Sequence, residues 1–497
     1  MGAIISLASL THAQEAEPIQ ATSIIPSDVS TIVFQPTAES FRQAACPEWF
    51  RDARFGIWSH WGPSSIPGIG NEYPKDMYRQ DSASYKWHVE HIGHPSQFGY
   101  KDLILSWKAE QFDPDALIAR YKAAGAKYFV ALATHHDNFD CFDSSHHEWN
   151  SVKVGPKKDI VGLWRDATLK AGLRFGVSSH ADDRGWNYLY GATLSDKTGP
   201  KAGVPYDGAD PANRSLYNMV TDPKQKPSAA WLDKWLLRHT ELVDKYKPDL
   251  LYFDGDIPHG DYGRKLIAHY LNANQQWHRG KLEAVVNSKS EMFVRDYERG
   301  ASTIIRENLW QDDTSLGGWF FLNDPIADFH SRSKDAATVI HTLADVVSKN
   351  GNLLINMPQR GDGSLYPECE TVLDELAKWM PINGEAIFGT RPWIMFGEGP
   401  TQLPEPKYMN ELKKPLTAQD FRFTTKGDAL YAICLGVPQK EVRIASLGRL
   451  GNKVATVELL GSTEKLKWKQ DWEGLVISPV KEWPCQHAVT YKIRFGK

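Results

Sequence analysis

The sequence predicts an α/β fold: a (β/α)8-type, TIM-like barrel followed by a C-terminal antiparallel β-sandwich. Helix-then-apolar-strand phrases recur between about residues 41 and 390, no G-x-G-x-x-G loop follows an early strand, and beyond Trp393 the pattern changes to short strand-like runs separated by turns. Repeated helix–strand phrases imply parallel strands covered by helices. They fit a doubly wound open sheet or a closed barrel, and the missing glycine loop removes the main support for a dinucleotide-binding sheet. A chain of 497 residues is the right length for a large barrel with an accessory domain.

The phrases are explicit in order along the chain. Asp113-Pro114 is a helix start, Asp as N-cap and Pro at the first helical position. Leu117, Ile118, Tyr121 and Ala124 then recur at helical spacing, Gly125 ends the helix, and Lys127–Thr134 (KYFVALAT) follows as an apolar strand. Ile160–Ala171 stops at Gly172 before Arg174–Ser178. Trp231–Tyr246 stops at Pro248 before Asp249–Asp254 (DLLYFD), and Asp335–Lys349 stops at Gly351 before Asn352–Asn356 (NLLIN). Leu430–Leu435, Glu441–Ala445, Val454–Leu460, Leu475–Ser478 and Val489–Phe495 are the strand-like runs of the sandwich. These patterns divide the chain into a signal peptide and tether (1–40), a barrel (41–393) and a sandwich (394–497). The polar, Gly-, Pro- and Asp-rich insertion Ala192–Ala229 reads either as a lid or outer wall on the active face or as a surface excursion.

Composition narrows the partners. A net charge of −4 leaves no basic excess for nucleic acid or an anionic membrane, and neither is expected. The 18 Trp and 19 Tyr offer flat faces that suit sugar rings, though Trp is also a common core residue. Cys46, Cys141, Cys369, Cys434 and Cys485 lie far apart with no C-x-x-C pair, so mostly unpaired, buried thiols are expected. Ala3–Leu10 is short and apolar, and Thr11-His12-Ala13 before Gln14 resembles a signal-peptidase site, which points to a secreted or periplasmic protein. No Lys or Arg precedes Arg42, so the basic n-region is missing and an ordinary tail stays open as the alternative.

In a barrel enzyme, residues at the C-terminal ends of strands face the catalytic mouth. Here those ends read His60-Trp61-Gly62 after Arg54–Ser59, Thr134-His135-His136-Asp137, Ser179-His180 and Phe253-Asp254-Gly255-Asp256. The paired His135 and His136 invite a metal reading, but H-x-H and H-E-x-x-H spacings are absent. Neither metal nor cofactor is expected, and imidazoles that hydrogen-bond sugar hydroxyls fit better. Asp254 is either a helix cap or a functional carboxylate, and strand-end position favours function over its neighbour Asp256. A retaining glycosidase needs a second carboxyl, for which Glu291, Glu298, Glu307, Asp312 and Asp313 are candidates that sequence cannot rank by distance.

From about residue 47 onward the chain resembles the α-L-fucosidases of glycoside hydrolase family 29. The segments that carry the resemblance are PEWFRDARFGIWSHWGPSSIP (47–67), THHDNFDCFDSSHHEWNS (134–151), ELVDKYKPDLLYFDGD (241–256), VVSKNGNLLINMPQRGDG (346–363), INGEAIFGTRPW (382–393) and DFRFTTKGDALYAI (420–433). The resemblance implies a retaining exo-glycosidase acting on an oligosaccharide or polysaccharide. Asp254 would be the nucleophile and Glu298, in DYERG (296–300), the acid/base. His60, His135 and His136 would hold sugar hydroxyls, Glu72 and Tyr73 would match the family's Glu-aromatic sugar contact, and Tyr252 would stand where the family often has Trp. Trp310, opening WQDDTSLGGW (310–319), would be a wall of the leaving-group site. Two departures bear on specificity: Ser178–Asp183, with His180, stands where the family commonly shows a Tyr-rich stretch, and Asn287-Ser288-Lys289 stands for an Asn-Asp-Arg pattern. Lys289 cannot reproduce the planar bidentate contact of Arg. A more polar pocket that admits α-L-galactose, or a decorated sugar such as a sulfated one, is the resulting alternative to fucose.

Overall fold

Eight parallel strands close into a barrel in sequence order: β1 (Phe55–Ser59), β2 (Tyr128–Thr134), β3 (Arg174–Ser179), β4 (Leu250–Phe253), β5 (Val285–Ser288), β6 (Val294–Asp296), β7 (Trp310–Ser315) and β8 (Gly351–Asn356), with β8 pairing back onto β1. The computed structural model describes residues 32–300, 302–320, 322, 333–403, 410–411, 416–449, 451 and 453–496. The signal-like segment lies outside them. The expected helix starts hold: Asp113 accepts from Ala116 N at 3.0 Å, and Asp335 caps its helix through Thr338 N at 2.8 Å.

Side chains alternate across each strand, so every second residue fills the barrel. Trp58, Tyr128, Val130, Leu250, Tyr252, Val285, Val294 and Leu354 form one buried cluster inside it, while Ile57, Phe129, Val177 and Leu251 pack outward under the helices. Gly56 belongs to the inward set because a Cβ there would lie 2.3 Å from the Tyr128 ring. Gly176 leaves comparable room for Leu250, whose Cβ would be 3.0 Å away.

Beyond the barrel, β9 (Arg391–Glu398), β10 (Phe421–Lys426), β11 (Ala429–Cys434), β13 (Val454–Leu459) and β16 (Val489–Phe495) form one antiparallel sheet in the order β13-β16-β11-β10-β9. The second sheet is β12 (Val442–Ile444), β15 (Gly474–Ile477) and β14 (Trp468–Asp471). Phe423, Ile444, Leu475, Val489 and Tyr491 share the core of these sheets. The sandwich is tied to the barrel's last helices by Arg422 Nε on Asp345 Oδ1 at 2.6 Å and by Trp379 Nε1 on the Ala488 carbonyl at 2.8 Å. All five cysteines are free, and Cys141, Cys369 and Cys434 are buried. Among the described residues no helix is long and apolar enough to cross a membrane.

Two segments differ from a loose reading of their composition. The stretch expected as a tether is pinned from Ile32 onward. Phe34 is buried and exchanges hydrogen bonds with the Asn272 side chain at 2.8 and 2.9 Å, and Gln275 Nε2 donates to the Ile32 carbonyl at 2.8 Å. The insertion 192–229 is stitched down by buried carboxylates: Asp196 accepts from Tyr85 and Tyr206, and Asp207 accepts from Tyr78 at 2.7 Å and Tyr217 at 2.5 Å. Polar composition here supplies hydrogen bonds between loops, not solvent exposure.

The packing of Gly56 against Tyr128 yields a measurable expectation. Gly56→Ala inserts a methyl where no room exists and should lower stability by about 1–3 kcal/mol, read as a fall in the urea midpoint at unchanged m-value. An unchanged midpoint would contradict the packing described.

Candidate active site

The mouth of the barrel holds a pocket of about 260 Å³ lined by Trp58, His60, Asn71, Glu72, His135, His136, His180, Arg184, Asp254, Glu298, Asp313, Trp319 and Phe320. Strand alternation puts several of these there. Trp58 faces inward on β1 and His60 is the next inward position; Tyr252 faces inward on β4 and Asp254 follows it. On β2 the strand ends at Thr134, so His135 and His136 are released from pleat alternation and both reach the pocket.

The neighbours of each strand end hold it in place. Asn356, at the end of β8, accepts from His60 N at 2.8 Å and donates to Ser315 Oγ at 3.0 Å and the Trp319 carbonyl at 2.8 Å. Asn71 Oδ1 accepts from the backbone N–H of Trp319 at 2.9 Å and of Phe320 at 3.3 Å, which fixes the aromatic wall. Behind β3, His239 stacks on Trp235 and hydrogen-bonds Ser179 Oγ at 2.8 Å, while Trp235 Nε1 donates to the Ala181 carbonyl at 2.6 Å.

Electrostatics divide the titratable groups. Burial works to raise the Asp254 carboxyl. The His136 imidazole, 3.5 Å away, and the Lys289 ammonium overcome it and hold Asp254 well below the usual carboxylate range. Arg184 Nη2 also donates to Asp254 Oδ2 at 2.6 Å. Asp313 is pushed the other way, by burial and then by the adjacent Asp296. Lys289 Nζ stands 2.5 Å from Asp296, 3.6 Å from Glu298, 3.6 Å from Asp313 and 3.9 Å from Asp254. Burial drives His60 down to about 3 and drives His135 and His180 well below the usual imidazole range, so all three are neutral. His136 is raised: burial opposes its charge, but Asp182 and Asp254 outweigh it. The arrangement provides an ionised carboxylate, a second carboxyl and neutral imidazoles that can both donate and accept.

Seven of the expected site residues meet in the pocket: Asp254, Glu298, His60, Glu72, His135, His136 and His180. Lys289 borders it through its carboxylate partners. Tyr252 is fully buried and lies beneath the floor, donating to Asp313 Oδ2 at 2.9 Å and reaching Asp254 Oδ1 at 3.4 Å. Tyr73 and Trp310 are not in the pocket. Glu72 caps the short helix Tyr73–Asp76, and the turn sends Tyr73 into the core, where its hydroxyl meets His88 Nδ1 at 2.5 Å. Trp310 opens β7, at the opposite end of the barrel from the mouth, and donates to the Lys349 carbonyl at 2.9 Å. Trp319, the last residue of the same segment, supplies the wall instead. Sequence reasoning missed Trp58, Asn71, Arg184, Trp319 and Phe320. Only Trp58 carried a usable signal, as the inward residue two before His60. None of residues 192–229 lines the pocket. Part of the insertion, from Pro211 to Met219 with Ser228, borders another cavity with Trp186 and Trp231.

The profile described as Alpha-L-fucosidase matches residues 22–385, and that described as Alpha-L-fucosidase C-terminal domain matches residues 413–494. The chain is 26% identical to the tissue alpha-L-fucosidase of Rattus norvegicus over 480 residues, covering 93% of this chain and 92% of that protein. It is 27% identical to the Homo sapiens tissue alpha-L-fucosidase over 479 residues, 93% and 91% of the two chains. Among solved structures, the Thermotoga maritima alpha-fucosidase in complex with fucose superposes with a TM-score of 0.72 at 26% identity, covering 93% of this chain and all of that one.

His239 supplies a pH test of the support behind β3. Burial and then the adjacent Arg238 charge lower its pKa to about 3. The unfolded chain takes up that proton near pH 6.5, so this residue removes stability as pH falls below 6.5, by at most about 1.36 kcal/mol per pH unit. His239→Gln abolishes the term. Urea unfolding at pH 7 and pH 5 should show the variant losing less stability on acidification than the wild type; parallel losses would mean that His239 titrates normally.

Proposed function

This chain belongs to glycoside hydrolase family 29, the α-L-fucosidases, and we propose that it releases terminal α-L-fucosyl residues from glycans by a retaining mechanism in which Asp254 is the nucleophile and Glu298 the acid/base. The observation that carries the assignment is geometric. Asp254 follows β4 and lines the pocket together with Glu298, both carboxylates lying within 4 Å of the Lys289 ammonium.

In the first step an Asp254 oxygen bonds to the anomeric carbon while the glycosidic C–O bond breaks and Glu298 delivers its proton to the leaving oxygen. In the second, Glu298 takes a proton from water, whose oxygen bonds to the anomeric carbon as the Asp254 ester breaks. Lys289 and His136 stabilise the ionised carboxylate before attack, and Tyr252 positions it from below. The neutral His60, His135 and His180, with Glu72, suit a ring of sugar hydroxyls because each imidazole can donate and accept. Trp319 and Phe320 form the apolar side that suits a methyl group. Residues 41–393 would carry the chemistry and 394–497 an attached sandwich. The Ala3–Leu10 segment and its Ala13/Gln14 junction support export to a secreted or periplasmic location.

Aryl α-L-fucosides test the assignment. Asp254→Ala should abolish turnover, and Glu298→Gln should lower kcat/KM about 10²–10⁴-fold, with the smaller loss for leaving groups that need no proton. The first sugar detected by NMR should be the α-anomer. A β-anomer, or turnover that survives Asp254→Ala, would overturn the roles assigned.

The aromatic wall makes the fucoside the better substrate than the α-L-galactoside. An apolar pocket discriminates weakly against one added hydroxyl, so the preference in kcat/KM should be at most about 100-fold. A preference for the galactoside would mean that the polar residues, not Trp319 and Phe320, face that carbon.

A further inference from the structure

His60, His135 and His180 form a triangle. Their ring centroids are 5.0 Å apart on each side, and one ligand nitrogen from each lies within 4.8 Å of those of the other two. All three rings are buried, and the Nδ1 of each has no hydrogen-bond partner among the described residues. Their backbones are anchored from the barrel: His60 N donates to Asn356, and His180 N donates to the Thr134 carbonyl at 2.8 Å. Phe320 packs against two of the rings, with centroids at 4.5 and 4.9 Å, and stiffens that side.

Three imidazoles on three successive strand ends have the ligand chemistry of a His₃ site with an open fourth position. The spacing of the histidines in the chain gave no sign of it, since 75 residues separate the first two and 45 the last two. Metal–nitrogen bonds of about 2.0–2.1 Å require the rings to close inward by roughly 1 Å, a side-chain adjustment. The Asp254 carboxylate, 3.9 Å from His180 Nε2, places a negative charge beside the triangle. Arg184 and Lys289 are the opposing cations near that carboxylate; the Arg184 side chain is 57% exposed and can turn toward solvent.

We propose that His60, His135 and His180 bind a first-row transition-metal dication, with Zn²⁺ as the reference ion, and that this ion and the sugar exclude one another. Imidazole nitrogen selects zinc, cobalt, nickel and copper over the oxygen-loving magnesium and calcium. The bound ion occupies the nitrogens that would hold sugar hydroxyls, so it inhibits. The metal site rests on ring geometry alone, and only its kinetic consequence depends on the reading of this pocket as the sugar site.

Co²⁺ titrated into the full chain provides the direct test. One equivalent should produce the intense visible absorption of four- or five-coordinate cobalt, which Zn²⁺ then bleaches. Zn²⁺ should inhibit aryl α-L-fucoside hydrolysis competitively, Mg²⁺ should not, and a chelator should restore activity. His135→Ala with His180→Ala should weaken Co²⁺ binding more than tenfold, and His180→Gln, which keeps a polar group in the space, should do the same in a chain whose circular dichroism matches wild type. Pale six-coordinate cobalt, sulfur-to-metal absorption from the free cysteines, or a spectrum unchanged in these variants would each overturn the proposal. If the metal-free enzyme fails to cleave the fucoside, the sugar reading is at fault, and the cobalt spectrum still decides the metal site.

Discussion

One ammonium group among four carboxylates sets the terms for the rest of the site. Lys289 Nζ has Asp254, Asp296, Glu298 and Asp313 all within 4 Å. In a poorly solvated pocket, so many acids cannot all be ionised around a single positive charge. Asp254 keeps its charge because His136 and Lys289 stand beside it, while Asp313, buried and against Asp296, is driven upward. Opposed shifts in neighbouring carboxyls leave one ionised beside one that keeps its proton, here Asp254 beside Asp313. In this chain the division starts at Lys289.

Electrostatics of this kind work only if the groups stay where they are, and the closed barrel supplies that constraint. His60 and Asp254 follow the inward positions of Trp58 on β1 and Tyr252 on β4, and the strand ends are cross-tied by amides. Asn356 joins the ends of β1, β7 and β8, and Asn71 holds the Trp319–Phe320 loop. Misplacement by an ångström costs catalysis heavily, so these uncharged tethers matter to the chemistry they do not touch. The His239–Trp235 stack plays the same part behind β3.

Sequence revealed the parts of this architecture that rely on apolar continuity. KYFVALAT and DLLYFD are apolar runs with a helix stop before them, so their strands and the polar groups that follow were readable. β6 and β7 were not: Val294–Asp296 is three residues long, and Trp310–Ser315 reads WQDDTS, in which polar inward residues reach the pocket and its floor. For that reason Trp310 was placed at the mouth when it starts a strand, and Asp313 remained one of five unranked acids. Tyr73 failed on a different ground. Neighbouring residues share a site only where the backbone is irregular, as at His135 and His136; at Glu72 a helix begins and sends the next side chain elsewhere. The aromatic wall and Arg184 belong to loops, whose paths depend on tertiary contacts that no local pattern records.

The departures from the family pattern now take on a specific meaning. His180 and Lys289 raised the expectation of a more polar pocket around the sugar's methyl group. Both lie instead on the carboxylate side, each 3.9 Å from Asp254, and the Lys289 ammonium contributes to holding that carboxyl ionised. The apolar surface comes from Trp319 and Phe320, across a loop fixed by Asn71. On the proposed reading, then, replacing the aromatic and arginine residues retunes the charge around the nucleophile and leaves the methyl side apolar. His180 has a further consequence. An aromatic hydrocarbon at its position would complete a wall, whereas an imidazole completes a triangle of nitrogens and opens the pocket to an ion as well as to a sugar.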